Sequence, residues 1–110
     1  MSAMQRNKGK AFEQRVARDL REIFGDEVRR GWQAREGSDD PDIICPLLAP
    51  ECKHQIRPNI PAALEQALRA TTPGKYAVAV TKANRSEPLA TMRWADFCDL
   101  VQAYWQLTRR

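Results

Sequence analysis

The segment from Tyr76 to Thr81 constrains the fold most, because it reads Tyr-Ala-Val-Ala-Val-Thr with almost no polar interruption. A short run of this kind, rich in β-branched side chains, predicts a strand buried at the centre of a sheet. Such a strand needs covering elements on each face, and amphipathic stretches elsewhere in the chain can supply them. The sequence therefore predicts a sheet flanked by helices.

Three stretches have the apolar periodicity of helices. The first runs from Asn7, a candidate N-cap, to Phe24, and Gly25 is a natural stop. The second opens with Pro61, which suits a first helical turn, and the third covers residues 95–107. We expect all three apolar faces to pack in the core, including the aromatic residues of the last helix. The alternative for Trp94, Tyr104 and Trp105 is that they contribute apolar contact area in a dimer. The faces comprise Phe12, Val16, Leu20, Ile23 and Phe24; Ala63, Leu64, Ala67 and Leu68; and Phe97, Leu100, Val101, Tyr104 and Trp105, with Trp94 just before the third helix.

Five short segments predict strands by their apolar and β-branched content. In chain order the elements are α-β-β-β-α-β-β-α, which predicts an α/β fold with a mixed β-sheet flanked by helices. The length suits a single domain spanning 1–110. The predicted strands are 27–34, 42–45, 50–55, 76–81 and 89–94.

Composition limits the classes of function. Lysine and arginine number 18 against 14 acidic residues, a balance that is compatible with nucleic-acid binding without requiring it. No apolar run approaches the roughly 20 residues of a membrane span, and the first ten residues lack the apolar centre of a secretory signal. We therefore expect no membrane association and a cytoplasmic protein, in the host cytoplasm if it is phage-encoded. The cysteines, Cys45, Cys52 and Cys98, lack metal-ligand spacing and are expected to be reduced.

Two carboxylates frame a candidate catalytic centre. Asp42 follows Pro41, and nine residues later comes Glu51 in the triplet Glu51-Cys52-Lys53. If the chain folds back midway between them, a hairpin brings these carboxylates directly opposite, with Cβ atoms about 5 Å apart. Carboxylate oxygens are ligands that Mg²⁺ prefers, and Lys53 projects to the same strand face as Glu51. Taken singly, Glu51 and Lys53 also fit a surface ion pair, and Asp42 fits a turn.

The order of these residues resembles the PD-(D/E)xK nuclease superfamily, and within it the small phage and archaeal Holliday-junction-resolvase-like endonucleases. The likeness comprises Glu13 on the first helix, the Pro41-Asp42 pair, the Glu51-Cys52-Lys53 triplet and Gln66 on the next helix. It extends over most of the chain, from Lys8 to about Val101, and includes the order of elements. It implies a restriction-endonuclease-like core.

The resemblance also implies which residues hold a metal. Asp42 and Glu51 match the metal-ligating acids, and the backbone carbonyl of Cys52 would be a further ligand. Glu13 matches a helix-borne acid that completes the site, either directly or through water. The implied cofactor is Mg²⁺, with Mn²⁺ able to replace it.

Four further residues are placed relative to that site. Lys53 matches the lysine that orients or deprotonates the attacking water. Gln66 matches a glutamine that positions the lysine, the water or the nucleic-acid backbone. His54 would point to the opposite strand face from Lys53, which favours a structural or rim role. Ser38 resembles a small polar residue found before the aspartate, but three intervening residues leave its role open.

The function implied is hydrolysis of phosphodiester bonds in DNA, selective for Holliday junctions or other branched structures in recombination or replication. Resolving a junction needs two symmetric cuts, which a homodimer would provide. The alternatives are a stand-alone VRR-NUC-type nuclease, a flap or end-processing nuclease, and a non-catalytic basic DNA-binding module. Six basic residues are candidate phosphate anchors, although a solvated basic surface explains them equally well. They are Arg6, Lys8, Lys10, Arg29, Arg30 and Arg35.

Overall fold

The structure, a computed structural model, describes residues 3–31 and 43–109, apart from the side chains of residues 5 and 6. Three helices and mixed sheets form an α/β fold, and the predicted order of helices and strands is confirmed. The elements are α1 (Ala3–Phe24), a 3₁₀ turn (Gly25–Glu27), β1 (Arg29–Arg30), β2 (Ile43–Ile44), β3 (Leu48–His54), α2 (Ile60–Ala70), β4 (Tyr76–Lys82), β5 (Leu89–Thr91) and α3 (Trp94–Thr108).

The predicted central strand is central. β4 pairs in parallel with β3 over seven residues, from Leu48↔Tyr76 to His54↔Lys82, and antiparallel with β5 on its other edge. Parallel strands cannot be joined by a tight turn, and α2 makes the crossover between β3 and β4. The run of small apolar residues in β4 is buried accordingly.

The hairpin predicted between residues 42 and 51 is described only in part. The chain turns after β2, where the Leu48 N–H donates to the Pro46 carbonyl at 2.7 Å. Within the described residues, β2 is paired with β1, through Arg29↔Ile44, and no ladder joins it to β3. Asp42 lies outside the described residues, so its position opposite Glu51 stays a prediction.

The two faces of the β3–β4 pair are covered differently. Cys52 of β3 belongs to the core cluster built on Phe12, Val16 and Ala17 of α1. Successive strand residues point to opposite faces. The opposite face therefore carries Ala49, Ala77 and Ala79, which are all buried. We infer that α2 covers this face, since it packs against both strands through the buried Ala63 and Ala67.

Several predicted boundaries are corrected. Asn7 is not the cap of the first helix, because α1 begins at Ala3 and good helix formers precede Asn7. Gly25 ends α1 as predicted and has φ +68°. The last strand stops at Thr91 instead of Trp94. Arg93 pairs with Asp96 at 3.1 Å across the first turn of α3, which favours a helix there.

The expectation that the last helix packs its apolar face in the core was wrong. Trp94, Phe97, Val101, Tyr104 and Trp105 are all exposed. In α3 only Asp96 is buried and Leu100 half-buried, so the helix meets the rest of the chain through its other side.

No helix in the described part of the chain combines the length and the apolar character needed to cross a bilayer.

We predict that Asn59→Ala destabilises the protein by about 1 kcal/mol, because the Asn59 side chain caps α2. Its Oδ1 accepts a hydrogen bond from the Ala62 N–H at 3.1 Å. Denaturant unfolding measures the change. Asn59→Asp keeps an oxygen acceptor and should retain most of the stability, so equal losses in both variants would contradict the capping role.

Candidate active site

The candidate site is centred on β3, where Glu51 and Lys53 project from the same face. The Lys53 Nζ lies 3.6 Å from the Glu51 Oε1, and the Glu51 side chain is 5% exposed against 35% for Lys53. A carboxylate this buried is costly to keep charged without a partner. The surface ion pair considered from sequence is therefore not what the structure contains, because the acid lies inside the fold and only the amine reaches solvent.

The surroundings of this pair follow from the parallel register. Glu51 is paired with Ala79 and Lys53 with Thr81, both fully buried. Alternation places these residues on the face opposite Cys52, which packs against α1.

Glu13 lies on α1, where it contacts a residue of β1. Its Oε2 is 3.9 Å from the Arg30 Nη2, and both side chains are largely covered. At this distance the two groups attract each other electrostatically without forming a hydrogen bond. Arg30, a candidate DNA anchor, is thus placed against Glu13. Whether Glu13 also joins Glu51 stays a prediction.

The remaining members of the predicted site are placed unevenly. Gln66 is half-buried on α2, beside Ala67, and within the described residues no hydrogen bond joins it to Lys53. Asp42 and Ser38 lie outside the described residues. Within 3–31 and 43–109, no three histidine, cysteine, aspartate or glutamate side chains form a group that could hold a metal ion. The predicted metal site depends on Asp42 for its second carboxylate.

His54 has the structural contact expected from its position on the other strand face. Its ring meets Phe12 of α1 edge-on, with ring centroids 5.7 Å apart, and its Nε2 is buried. Burial lowers the pKa of His54, and the positive charges of Lys82 and Lys8 lower it further, while a hydrogen bond with Asn84 opposes them. A neutral imidazole is therefore favoured at neutral pH.

The structure adds two residues that sequence reasoning missed. Lys82 is paired with His54 in the β3–β4 register, and Asn84 accepts a hydrogen bond from the Lys8 Nζ at 2.9 Å. Lys8 is separated from Asn84 by 76 positions, so no local pattern signals their contact. These groups bring positive charge to the C-terminal ends of β3 and β4, next to His54 and on the strand face opposite Glu51 and Lys53.

The other candidate DNA anchors are dispersed. Lys10 and Arg29 are exposed, on α1 and β1 respectively. Arg6 lies in α1 with its side chain outside the described part of the structure. Arg35 lies outside the described residues altogether.

The cysteine prediction is confirmed for two positions. Cys45 and Cys52 are buried and form no disulfide within the described residues, and burial raises the pKa of the Cys45 thiol. Cys98 is free but exposed on α3, so it is not a packing residue.

Compared with family models, with curated proteins and with solved structures, the chain matches none.

We predict that acidification destabilises the fold through His54, the only histidine of the chain. Its pKa is lowered in the folded state, so the unfolded chain binds the proton more readily. The contribution of neutral His54 is complete above the ordinary pKa of about 6.5 and declines as the pH falls from there toward the lower folded pKa. Denaturant unfolding between pH 8 and 5 measures it.

His54→Gln is the matched control for that series, because it removes the titration and keeps a polar side chain. The variant should lose less stability than the parent protein between pH 7 and pH 5.5. Parallel pH dependences in the two proteins would contradict the assignment.

Proposed function

We propose that this protein is a magnesium-dependent DNA endonuclease with a restriction-endonuclease-like core. It hydrolyses phosphodiester bonds and selects branched DNA, above all Holliday junctions, in recombination or replication. We propose also that it acts in the cytoplasm as a homodimer, whose two sites make the two symmetric cuts of a junction.

The observation that carries the proposal is the buried carboxylate of Glu51 beside the partly exposed amine of Lys53. A solvated ion pair would suit a surface strand equally well, and it would not require the acid to be buried. A buried acid beside a reachable cation suits a phosphate-cleaving site. One group can bind a metal while the other meets the negative charge of the phosphate.

The oxygen atoms that these residues supply are of the kind that Mg²⁺ prefers. Glu51 supplies a carboxylate, the Cys52 backbone a carbonyl, and Asp42 the second carboxylate, and all are hard oxygen ligands. When bound, Mg²⁺ lowers the pKa of water and stabilises charge on the reacting phosphate. Glu13 would complete this set directly or through water, at the expense of its contact with Arg30.

Lys53 has the position for two tasks. Its amine is tethered near Glu51 and still reaches solvent, so it can approach a bound phosphate. There it would orient the attacking water and offset the negative charge that develops on the phosphate oxygens. Gln66, on the helix that packs against β3 and β4, would position Lys53 or the DNA backbone once substrate is present.

Binding of DNA would draw on the basic residues around the site. Lys8, Lys10 and Arg29 are available as sequence-independent phosphate contacts, together with Arg6 and Arg35. Lys82 adds a charge next to His54 at the end of the parallel strands. Arg30 would contribute only if it left Glu13.

We predict that Glu51→Gln and Asp42→Ala each lower the cleavage rate at least about 100-fold, since each removes a ligand of the metal that stabilises transition-state charge. Cleavage of a labelled four-way junction in Mg²⁺ measures this. Glu65→Gln, at an exposed position of α2, is the matched control and should cut normally. DNA affinity measured in Ca²⁺ should be unchanged in all three variants.

The same assay separates the rival functions when junction, flap, linear duplex and single-stranded substrates are compared. Preference for flaps or ends over junctions would replace the junction nuclease with an end-processing or VRR-NUC-type enzyme. Binding that is independent of Mg²⁺, with no cleavage in Mg²⁺ or Mn²⁺, would leave a non-catalytic DNA-binding module. Normal cleavage by Glu51→Gln would refute the proposed site.

A further inference from the structure

The outward side of α3 carries a continuous apolar surface, which we call the α3 aromatic face and define as Trp94, Phe97, Val101, Tyr104 and Trp105. These positions recur at helical spacing and lie within about 100° of one another around the helix axis. Trp94 stacks on Phe97, with ring centroids 5.7 Å apart. Their exposure ranges from 46% to 75%, which makes this a patch and not a set of scattered surface residues.

The helix beneath this face has little support from its own chain. Every residue from Val101 to Arg109 is exposed, so the C-terminal half of α3 extends away from the sheet. A helix of 15 residues is marginal in water without tertiary packing. The groove along the face has about 340 Å³ of volume, is lined by α3 residues alone and is open to solvent.

We propose that the α3 aromatic face is the interface between two copies of this chain, which pair their α3 helices antiparallel about a two-fold axis near Val101. This inference deepens the proposed function by naming the interface of the proposed homodimer, and it does not depend on the metal chemistry. A two-fold interface joins the same patch on both subunits, so a self-complementary face is what it needs. Val101 is the midpoint of α3, and an antiparallel pair centred there sets Phe97 of one copy against Trp105 of the other.

The area is of the size that an interface requires. An aromatic side chain buries 150–250 Å², so the exposed fractions of the four aromatic residues leave roughly 500 Å² of apolar surface on each copy. Stable interfaces bury about 800 Å² per partner. Val101 and the neighbouring residues along a helix roughly 22 Å long can supply the remainder.

The helix dipole favours the antiparallel arrangement of α3. Antiparallel helices bring opposite dipole ends together, whereas parallel helices would place like ends side by side. At the N-terminal end Arg93 and Asp96 neutralise each other, and at the C-terminal end the Arg109 guanidinium sits over the Trp105 ring at 5.4 Å.

The same charges argue against nucleic acid as the occupant. A surface that stacks nucleic-acid bases also needs a cationic groove that follows the sugar–phosphate backbone. Among the described residues of α3 and its flanks, the Arg93–Asp96 pair leaves one acid, Asp99, and one cation, Arg109, so the charges there form no cationic groove. A second copy of the chain matches the apolar area and needs no such groove.

The test is the oligomeric state of the full chain by sedimentation velocity from 1 to 100 μM. We expect a dimer, and we expect Trp105→Lys to raise its dissociation constant at least 100-fold, because two buried aromatic anchors are lost at once. Far-UV circular dichroism should show an intact fold, with any loss of helix confined to the C-terminal half of α3, since Trp105 is exposed in the single chain. Ile23→Lys, at an exposed apolar position of α1, is the matched control and should remain dimeric.

Geometry is tested by cysteine cross-linking in a Cys98→Ser background. Val101→Cys should oxidise to a disulfide-linked dimer, whereas Gln14→Cys, exposed on α1, should not. A monomer at 100 μM, or a dimer that survives Trp105→Lys, would overturn the proposal. A monomer whose affinity for single-stranded DNA falls with Trp105→Ala would overturn it in favour of nucleic acid. Failure of Val101→Cys to cross-link would overturn the antiparallel arrangement.

Discussion

The parallel pairing of β3 with β4 is the constraint on which the other features of this fold depend. Its seven-residue register places Cys52 against α1 and sets Glu51 beside Ala79 on the opposite face. A slip of one residue would exchange these faces, putting the carboxylate into the α1 core and turning the thiol out of it. Because both faces are covered by helices, neither arrangement is neutral, and the register is strongly specified. The burial of Glu51 on the face opposite α1 is a consequence of that register.

Much of this architecture could be predicted from the sequence, because its signals are local. The run from Tyr76 to Thr81 indicated the central strand, and Gly25 marked the end of α1. Boundaries were less predictable where two local preferences compete: Asn7 is a good cap but lies among good helix formers, so α1 continues past it to Ala3. The apolar spacing in α3 predicted a helix with an apolar face. Spacing alone does not specify what covers such a face, and the expected core packing was wrong.

The candidate site also has features that were predictable from local sequence and features that were not. The proximity of Glu51 and Lys53 follows from the two-residue period of a strand and was predictable. The contact of Glu13 with Arg30 and the neighbourhood of Lys8, Lys82 and His54 depend on how α1 lies across the strands, which no local pattern specifies. The groups around His54 lie on the strand face opposite Glu51 and Lys53. The convergence of Asp42 and Glu51, on which the metal site depends, stays a prediction.

Anomalous scattering from a crystal of the protein grown with Mn²⁺ would locate the metal without reference to activity or substrate. We predict a single strong peak within coordination distance of a Glu51 carboxylate oxygen and of Asp42, and its loss in a crystal of Glu51→Gln. If Glu51 only stabilises the fold, no such peak would appear beside it. Full Mn²⁺ occupancy elsewhere on the chain, with none at Glu51, would contradict the proposed site outright.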